Sequence, residues 1–401
     1  MFGIKINKSA LGWGVNRVKK VFGNLFSLCF RCVLPIKKGR VVCWSYDFKQ
    51  YSCNPRYLTE YILDNDLDFE VYWVFRHRLD VSSIDKRVKY VRRRTWKYFI
   101  LMNTAEYLVT NVRTDSWKIF WNKRPGQKYM MLWHGGVALK KIEADAEGQL
   151  SYSYVKKAKL DSKNCDLMIS GCRMQTDLLK NKFWYSGEVL EKGTPRNDIF
   201  FQTALHQQIH ERVCREYNIA LTNRIVLYAP TFRRGYATDA YRINWNRVIP
   251  YLRSYFGGEE VTLLIRLHPN LINKVDVSTL MNDPSMIDVT RYHDMQELLC
   301  ISDMLITDYS SSMFDYTILK RPCLLYATDV EAYDRGYYFD FRELPYPLAR
   351  TEQELIDLIE SFDNDSYERG LQKFFTEQVG LIENGTACQA LTEWMKLHAI
   401  R

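Results

Sequence analysis

Residues 304–319 read MLITDYSSSMFDYTIL. Met304–Thr307 form a short apolar run that predicts a buried strand. Asp308–Ser312 then make a polar turn, and apolar residues resume at helical spacing from Met313 to Leu319. Strand, turn and helix in one run are half of a βαβ unit. Three serines at the helix start supply hydroxyls and free backbone amides, which with the helix dipole make an anion site. Ser and Asp are also ordinary helix caps, but that role needs one or two of these residues, not all three serines.

The same alternation runs outward in both directions. Strands are predicted at Val41–Ser45, Glu70–Phe75, Lys89–Val91, Tyr107–Thr110, Tyr129–Trp133 and Leu167–Ser170. Helices are predicted among them at Pro55–Leu63, Thr95–Asn103 and Cys172–Lys180. After residue 200 a second strand series covers Ile225–Tyr228, Val261–Leu267, Met304–Thr307 and Cys323–Tyr326. Its helices fall at His206–Tyr217, Trp245–Tyr255, Met295–Cys300 and Ser312–Leu319. Two such series predict an α/β protein of two doubly wound Rossmann-type domains, 41–200 and 201–401, facing a central cleft. The last helices, Glu352–Ser361, Tyr367–Gln378 and Thr386–Leu397, are expected to complete the second domain.

Composition agrees. The chain has 401 residues, 47% hydrophobic and 26% charged, which suits two folded domains and excludes a largely disordered chain. The net charge of +9 is localised. Residues 1–46 carry nine cations and no acid, so the rest holds 56 − 9 = 47 cations against 47 anions. A neutral body argues against nucleic-acid binding. Within the arm, Leu11, Val15, Val18, Phe22, Leu25, Phe26 and Cys29 recur at helical spacing. Residues 21–36 are too short and too interrupted to span a bilayer. The expectation for residues 1–40 is an amphipathic helix on an anionic membrane surface, with a helix packed on the body as the alternative. Ten cysteines form no disulfide or zinc pattern. Cys29 and Cys32 make a lone CxxC, and the usage fits a reducing cytosol.

Four further segments follow predicted strands or join the two series. His134-Gly135-Gly136 places a titratable group beside glycines that allow close approach, and Lys140 and Lys141 follow where phosphate would lie. Thr231 and Arg233 offer a hydroxyl and a forked cation after Pro230. Arg266 and His268 fall on one side of their strand and would suit a pyrophosphate. In the quoted stretch, Thr307, Asp308, Ser310, Ser311 and Ser312 surround the anion site. Asp315 would reach a ribose hydroxyl or favour the helix dipole. Gly193–Asp198 form a turn that aims Arg196 at the cleft. No Walker A, GxGxxG or GxSxG occurs, and no committed divalent-metal site is visible.

In this order these segments resemble the CDP-glycerol glycerophosphotransferase family: teichoic-acid primases and polymerases and their capsule-polymer relatives. The matches are Leu132–Gly135 with Leu139–Lys141, Gly193 with Pro195–Asp198, Tyr228–Arg233, and Arg266 with His268 and Pro269. They continue through Thr307–Ser311 with Phe314–Tyr316, Arg321 and Pro322 with Tyr326, and Arg335 and Gly336 with Tyr338–Asp340. The chain departs from the family at Gly136-Val137, usually Thr-Pro, and at Tyr346, where Gly often sits between Pro345 and Pro347. Both departures are expected on the acceptor side.

The resemblance implies a GT-B-like fold with the acceptor on the first domain and the CDP-linked donor on the second. It implies transfer of glycerol phosphate, or ribitol phosphate, from CDP-glycerol or CDP-ribitol to a lipid-linked or polymeric saccharide, releasing CMP. His134 maps to a general base, His268 to a donor toward the pyrophosphate, and Ser310 and Ser311 to phosphate ligands. Gly135, Lys140, Lys141 and Arg196 are expected to meet acceptor or phosphate. The expected location is the cytoplasmic face of the membrane, as a peripheral protein; homo-oligomerisation and metal dependence are left open. Two other classes share the features: a GT-B glycosyltransferase using a nucleotide sugar, and a non-catalytic membrane-associated binding protein.

Overall fold

The computed structural model describes residues 21–23, 25, 27–76, 84–231, 233, 241–268, 271, 272, 274–330 and 336–401. His77, Pro269, Arg335 and the first twenty residues of the basic arm lie outside them. The first sheet contains β1 (Lys37–Trp44), β2 (Glu70–Phe75), β3 (Lys89–Arg92), β4 (Ala105–Thr110), β5 (Lys128–Met131), β6 (Leu167–Ser170) and β7 (Glu188–Glu191). The second contains β8 (Arg224–Ala229), β9 (Val261–Ile265), β10 (Met286–Asp288), β11 (Met304–Thr307), β12 (Cys323–Tyr326) and β13 (Leu348–Ala349). Their orders are β3-β2-β1-β4-β5-β6-β7 and β10-β9-β8-β11-β12-β13. Neighbouring strands run parallel in both. Helices cover both faces, so the central strands are continuous apolar runs: all five residues of β9 and all four of β11 are buried.

Strand order reverses between β1 and β4 in the first sheet and between β8 and β11 in the second. A parallel sheet opens a crevice at such a point, because the crossovers on its two sides leave to opposite faces. Loops leaving β1, β4 and β5 meet loops leaving β8, β9 and β11 across one cleft. The sheets are joined by a shared apolar cluster that packs Val137, Leu139 and Ile199 with Leu298, Tyr309 and Phe314.

The structure corrects several expectations. Strands β7, β10 and β13 were not predicted; they are short edge strands, and β7 alternates charge with apolar residues (EVLE). The helix Tyr152–Asn164 was also missed, since its apolar face is only a few residues wide. Strand β1 begins at Lys37, so the arm ends before it and not at residue 40. Arg40 is part of this interior strand, bonded to Glu70 and Thr104. Helical residues 27–33 pack on the body by one face, through Ser27 with Asn103 and Phe30 against Trp96.

The last helix, Ala387–Leu397, does not complete the second sheet. It returns to the first, where Leu391, Trp394 and Met395 pack with Val41, Tyr107 and Leu167. The Tyr107 hydroxyl donates to the Met395 carbonyl at 2.5 Å, and the Trp394 indole donates to Glu188 at 2.8 Å. The buried Asp198 carboxylate accepts the amides of Ala387 and Cys388 at 3.0 and 2.8 Å, capping the helix. Asp198→Ala is expected to destabilise the protein by about 1–2 kcal/mol. Denaturant titration measures the loss, and hydrogen exchange should place it in β4 and β6, the strands this helix covers.

Candidate active site

The cleft has a volume of about 1280 Å³. Of the sequence-derived candidates it is lined by His134, Gly135, Lys140, Arg196, Thr231, Arg266, His268, Ser310, Ser311, Ser312 and Asp315. Residues from β5 and from β11, far apart in the chain, thus meet around one space.

His134 follows β5 through Trp133, whose φ of 51° is unusual for a side chain of that size. This bend ends the predicted strand early and turns His134 to the cleft. Its Nδ1 lies 2.9 Å from the Asn111 carbonyl oxygen. A carbonyl can only accept, so Nδ1 carries the proton and Nε2 keeps its lone pair. Burial pushes the imidazole down to about 4; the bond to the Asn111 carbonyl opposes it, and the Arg196 charge adds a smaller downward push. His134 is therefore neutral throughout the neutral range, as a proton acceptor requires.

The opposite wall comes from the second sheet. His268 is exposed to the cleft, and partial burial with the charges of Lys140 and Arg266 holds it below its ordinary value. Among the described residues Arg266 makes one long bond, to the Asp294 carbonyl at 3.4 Å, so most of its donor fork is not committed to them. The Ser310 and Ser312 hydroxyls are 2.8 Å apart, and Ser311 is exposed at the helix N-cap without bonding the backbone through its side chain. The Thr231 hydroxyl has no hydrogen-bond partner among the described residues.

Six candidates make internal contacts or sit apart from the cleft. Thr307 is fully buried and donates to the Ala229 carbonyl at 2.7 Å, tying β11 to β8. Asp308 accepts the Thr231 amide at 2.7 Å and pairs with Arg233 at 2.8 Å. Arg233 also pairs with Asp329 at 2.7 Å and lies over the Tyr309 ring, so two carboxylates occupy the cation expected to hold phosphate. Lys141 is exposed outside the cleft lining, its amide bonded to Gly336. Asp315 commits both oxygens internally. They accept from Arg196 at 2.8 and 3.0 Å, Gln296 at 3.0 Å and Asn197 at 3.4 Å. Arg196, correspondingly, spends its guanidinium on Asp315 and on the His134 carbonyl. The departure at Tyr346 is also not at the acceptor side: this residue is buried in the core, bonded to Thr317.

Several residues that build the site were missed. Asn54 donates to the carbonyls of Leu132 and Trp133 at 2.8 and 2.9 Å and accepts the Arg196 amide. Gln175 donates to the Gly135 carbonyl at 2.8 Å. Tyr46 meets the His134 ring edge-on at 5.9 Å. Asn111 could have been found, since it directly follows the run Tyr107–Thr110; Asn54 and Gln175 carry no local signal. Beneath the cleft floor, Glu383 accepts from Thr194 and Asn197, and burial pushes it up to about 7. A methyl group at Gly171 or Gly193 would overlap this carboxylate. Among the described residues, no three His, Cys, Asp or Glu side chains are grouped to hold a metal ion.

The model of the family described as CDP-Glycerol:Poly(glycerophosphate) glycerophosphotransferase matches residues 26–395. This chain belongs to that family. It is 32% identical to the teichoic acid poly(glycerol phosphate) polymerase of Bacillus subtilis over 88% of its own length, and spans about half (47%) of that relative. It is 30% identical to the teichoic acid glycerol-phosphate transferase of Staphylococcus aureus over 94% of its own length and 98% of the relative's. A solved structure of the wall teichoic acid polymerase TagF soaked with CDPG overlays with a TM-score of 0.80 at 27% identity, covering 98% of both chains.

The local electrostatics fix a measurable property. His134 is expected to stay neutral down to about pH 5 and to protonate near 4, well below an ordinary histidine. NMR titration of labelled histidines, assigned with a His134→Asn variant, tests this. Protonation near 6.5 would show that the imidazole is solvated.

Proposed function

We propose that the chain transfers glycerol phosphate from CDP-glycerol to a hydroxyl of a growing teichoic-acid polymer or lipid-linked saccharide, releasing CMP. The observation that carries this reading is the meeting of a neutral His134 with Arg266, His268 and Ser310–Ser312 in one cleft. Family membership supports it, and so does the similarity to a polymerase soaked with CDPG. Each sheet with its helices acts as one Rossmann-type domain, the first presenting acceptor and the second holding CDP.

In the transfer, the acceptor hydroxyl gives its proton to Nε2 of His134 while its oxygen bonds the glycerol-bearing phosphorus. The bond from that phosphorus to the bridging oxygen breaks, and CMP leaves with the electron pair. Arg266, His268 and the serine turn meet the charge on the leaving phosphate. Positioning and charge stabilisation are the main demands of phosphoryl transfer. The two histidines should fail differently. His134→Ala should retain CDP-glycerol affinity and lose turnover by about 10²–10⁴-fold. His268→Ala should lose both. Calorimetry with CDP-glycerol and a CMP-release assay on each folded variant read the difference; near-normal turnover in His134→Ala would remove the base assignment. CDP-ribitol and nucleotide sugars in the same assay identify the donor.

The enzyme works at the cytoplasmic face of the membrane as a peripheral protein. Among the described residues, no helix is long and apolar enough to cross a membrane. Phe22, Leu25, Leu28 and Val33 are exposed on the arm, Phe22 by 68% and Val33 by 78%, with Lys37 and Lys38 exposed just beyond. Apolar side chains rimmed by cations suit an anionic interface, where each cation contributes ~1 kcal/mol. Replacing Phe22, Leu25 and Val33 by Ser should release the protein from anionic liposomes without unfolding it. Unchanged, salt-insensitive sedimentation with the vesicles would refute the interfacial role.

A further inference from the structure

We infer that Arg196 and Asp315 are positioning residues that couple occupancy of the serine turn to the placement of His134. The inference rests on the reading of His134 as base and of Ser310–Ser312 as the phosphate site.

The loop that carries His134 is held by its carbonyls. Four consecutive residues, Leu132 to Gly135, each have the carbonyl oxygen accept a side-chain N–H: the first two from Asn54, His134 from Arg196, and Gly135 from Gln175. Such dense fixing suits a strained backbone, since an unfavourable φ persists only where its surroundings over-determine it. Asn54 and Gln175 belong to helices that pack with the first sheet. Arg196 alone of the three donors continues to the other sheet. Its second nitrogen meets both oxygens of Asp315, at 2.8 and 3.0 Å. Asp315 lies in the single-turn helix Ser312–Tyr316, whose first residue is bonded to Ser310.

A connected path therefore runs from the serine hydroxyls along the backbone of this short helix to Asp315, and from its carboxylate through Arg196 to the peptide of His134. A rigid turn transmits displacement at one end to the other, because buried side chains have no free volume in which to absorb it. Arg196 and Asp315 are both buried, with side chains 5% and 8% exposed, so solvent cannot substitute for either. Gly136 runs past the same carboxylate: a Cβ there would lie 3.8 Å from its Oδ1. The groups against the His134 imidazole are the Trp133 and Tyr46 rings and, with charge, the Arg196 guanidinium.

The test uses Asp315→Asn, Arg196→Met and Arg196→Lys in the full chain. Asp315→Asn should bind CDP-glycerol within about threefold of wild type yet turn over roughly tenfold or more slowly, the cost of a misplaced group. In wild type, adding CDP-glycerol should shift the His134 NMR signals; in Asp315→Asn that response should vanish. Arg196→Met removes a nearby positive charge, so His134 should protonate at higher pH, whereas Arg196→Lys should keep the low value. A purely structural pair would lower the unfolding temperature and leave the response of His134 to donor intact in Asp315→Asn. Wild-type turnover in folded Asp315→Asn, or a retained His134 response to donor, would overturn the coupling. If His134→Ala itself turns over normally, the reading of the site fails instead, so the two failures are distinguishable.

Discussion

The buried ion pair between Arg196 and Asp315 fixes how the two halves of this molecule meet. Taking both charges out of water costs more than their attraction usually returns, so the pair adds little net stability. Its effect is on geometry. Apolar surface holds the sheets together through Val137, Ile199, Leu298 and Phe314, but such contact is tolerant of sliding. An unpaired buried charge is costly, so the pair disfavours alignments that separate it. A second seam repeats the device: Arg56, on the helix Cys53–Asp64, pairs with Asp294 at 3.2 Å and Glu297 at 2.7 Å beside the helix Met295–Ile301. The Tyr57 hydroxyl adds a bond to Asp294 at 2.9 Å. In both seams the cation comes from the first half and the carboxylates from the second.

With the halves aligned, electrostatics differentiates the two walls. The first-sheet wall presents an uncharged imidazole whose tautomer is set by the Asn111 carbonyl. The second-sheet wall presents a permanent cation, Arg266, and hydroxyls near a helix start. Cations that would compete for an anion are neutralised in place: Arg233 by Asp308 and Asp329, and Arg196 by Asp315. The charge of the cleft is thus set in part by carboxylates committed to ion pairs with its own arginines.

The sequence was most legible where local signals and burial coincide. Strands β2, β6, β11 and β12 have the predicted ends because parallel core strands are unbroken apolar runs. Edge strands such as β7 and β13 lack that signature and escaped notice. The amphipathic face of Ala387–Leu397 predicted a helix but could not name the sheet it covers. Site residues divided similarly. His134, Arg266, His268 and the serines, singled out because they follow predicted strands, all line the one cleft. Arg196, Arg233, Asp308 and Asp315 are expected from sequence to meet ligand, and the structure adds the ion pairs that hold them. An ion pair between positions more than a hundred residues apart, as for Arg196 and Asp315, leaves no mark on either local sequence.

The return of the last helix to the first sheet has a consequence for biosynthesis. At about 5–20 residues per second, a ribosome needs roughly 10–40 s to add the second half of the chain. Throughout that interval the surface of Tyr107, Leu167 and Val41 that Leu391 and Met395 will cover stays open. Asp198 has meanwhile emerged with no helix to cap. The nascent first half is thus an incomplete body that presents apolar surface to the translation machinery and its chaperones. Its closure waits on a segment made after every strand of the other sheet, so the two halves reach their final form nearly together rather than in the order in which they are synthesised.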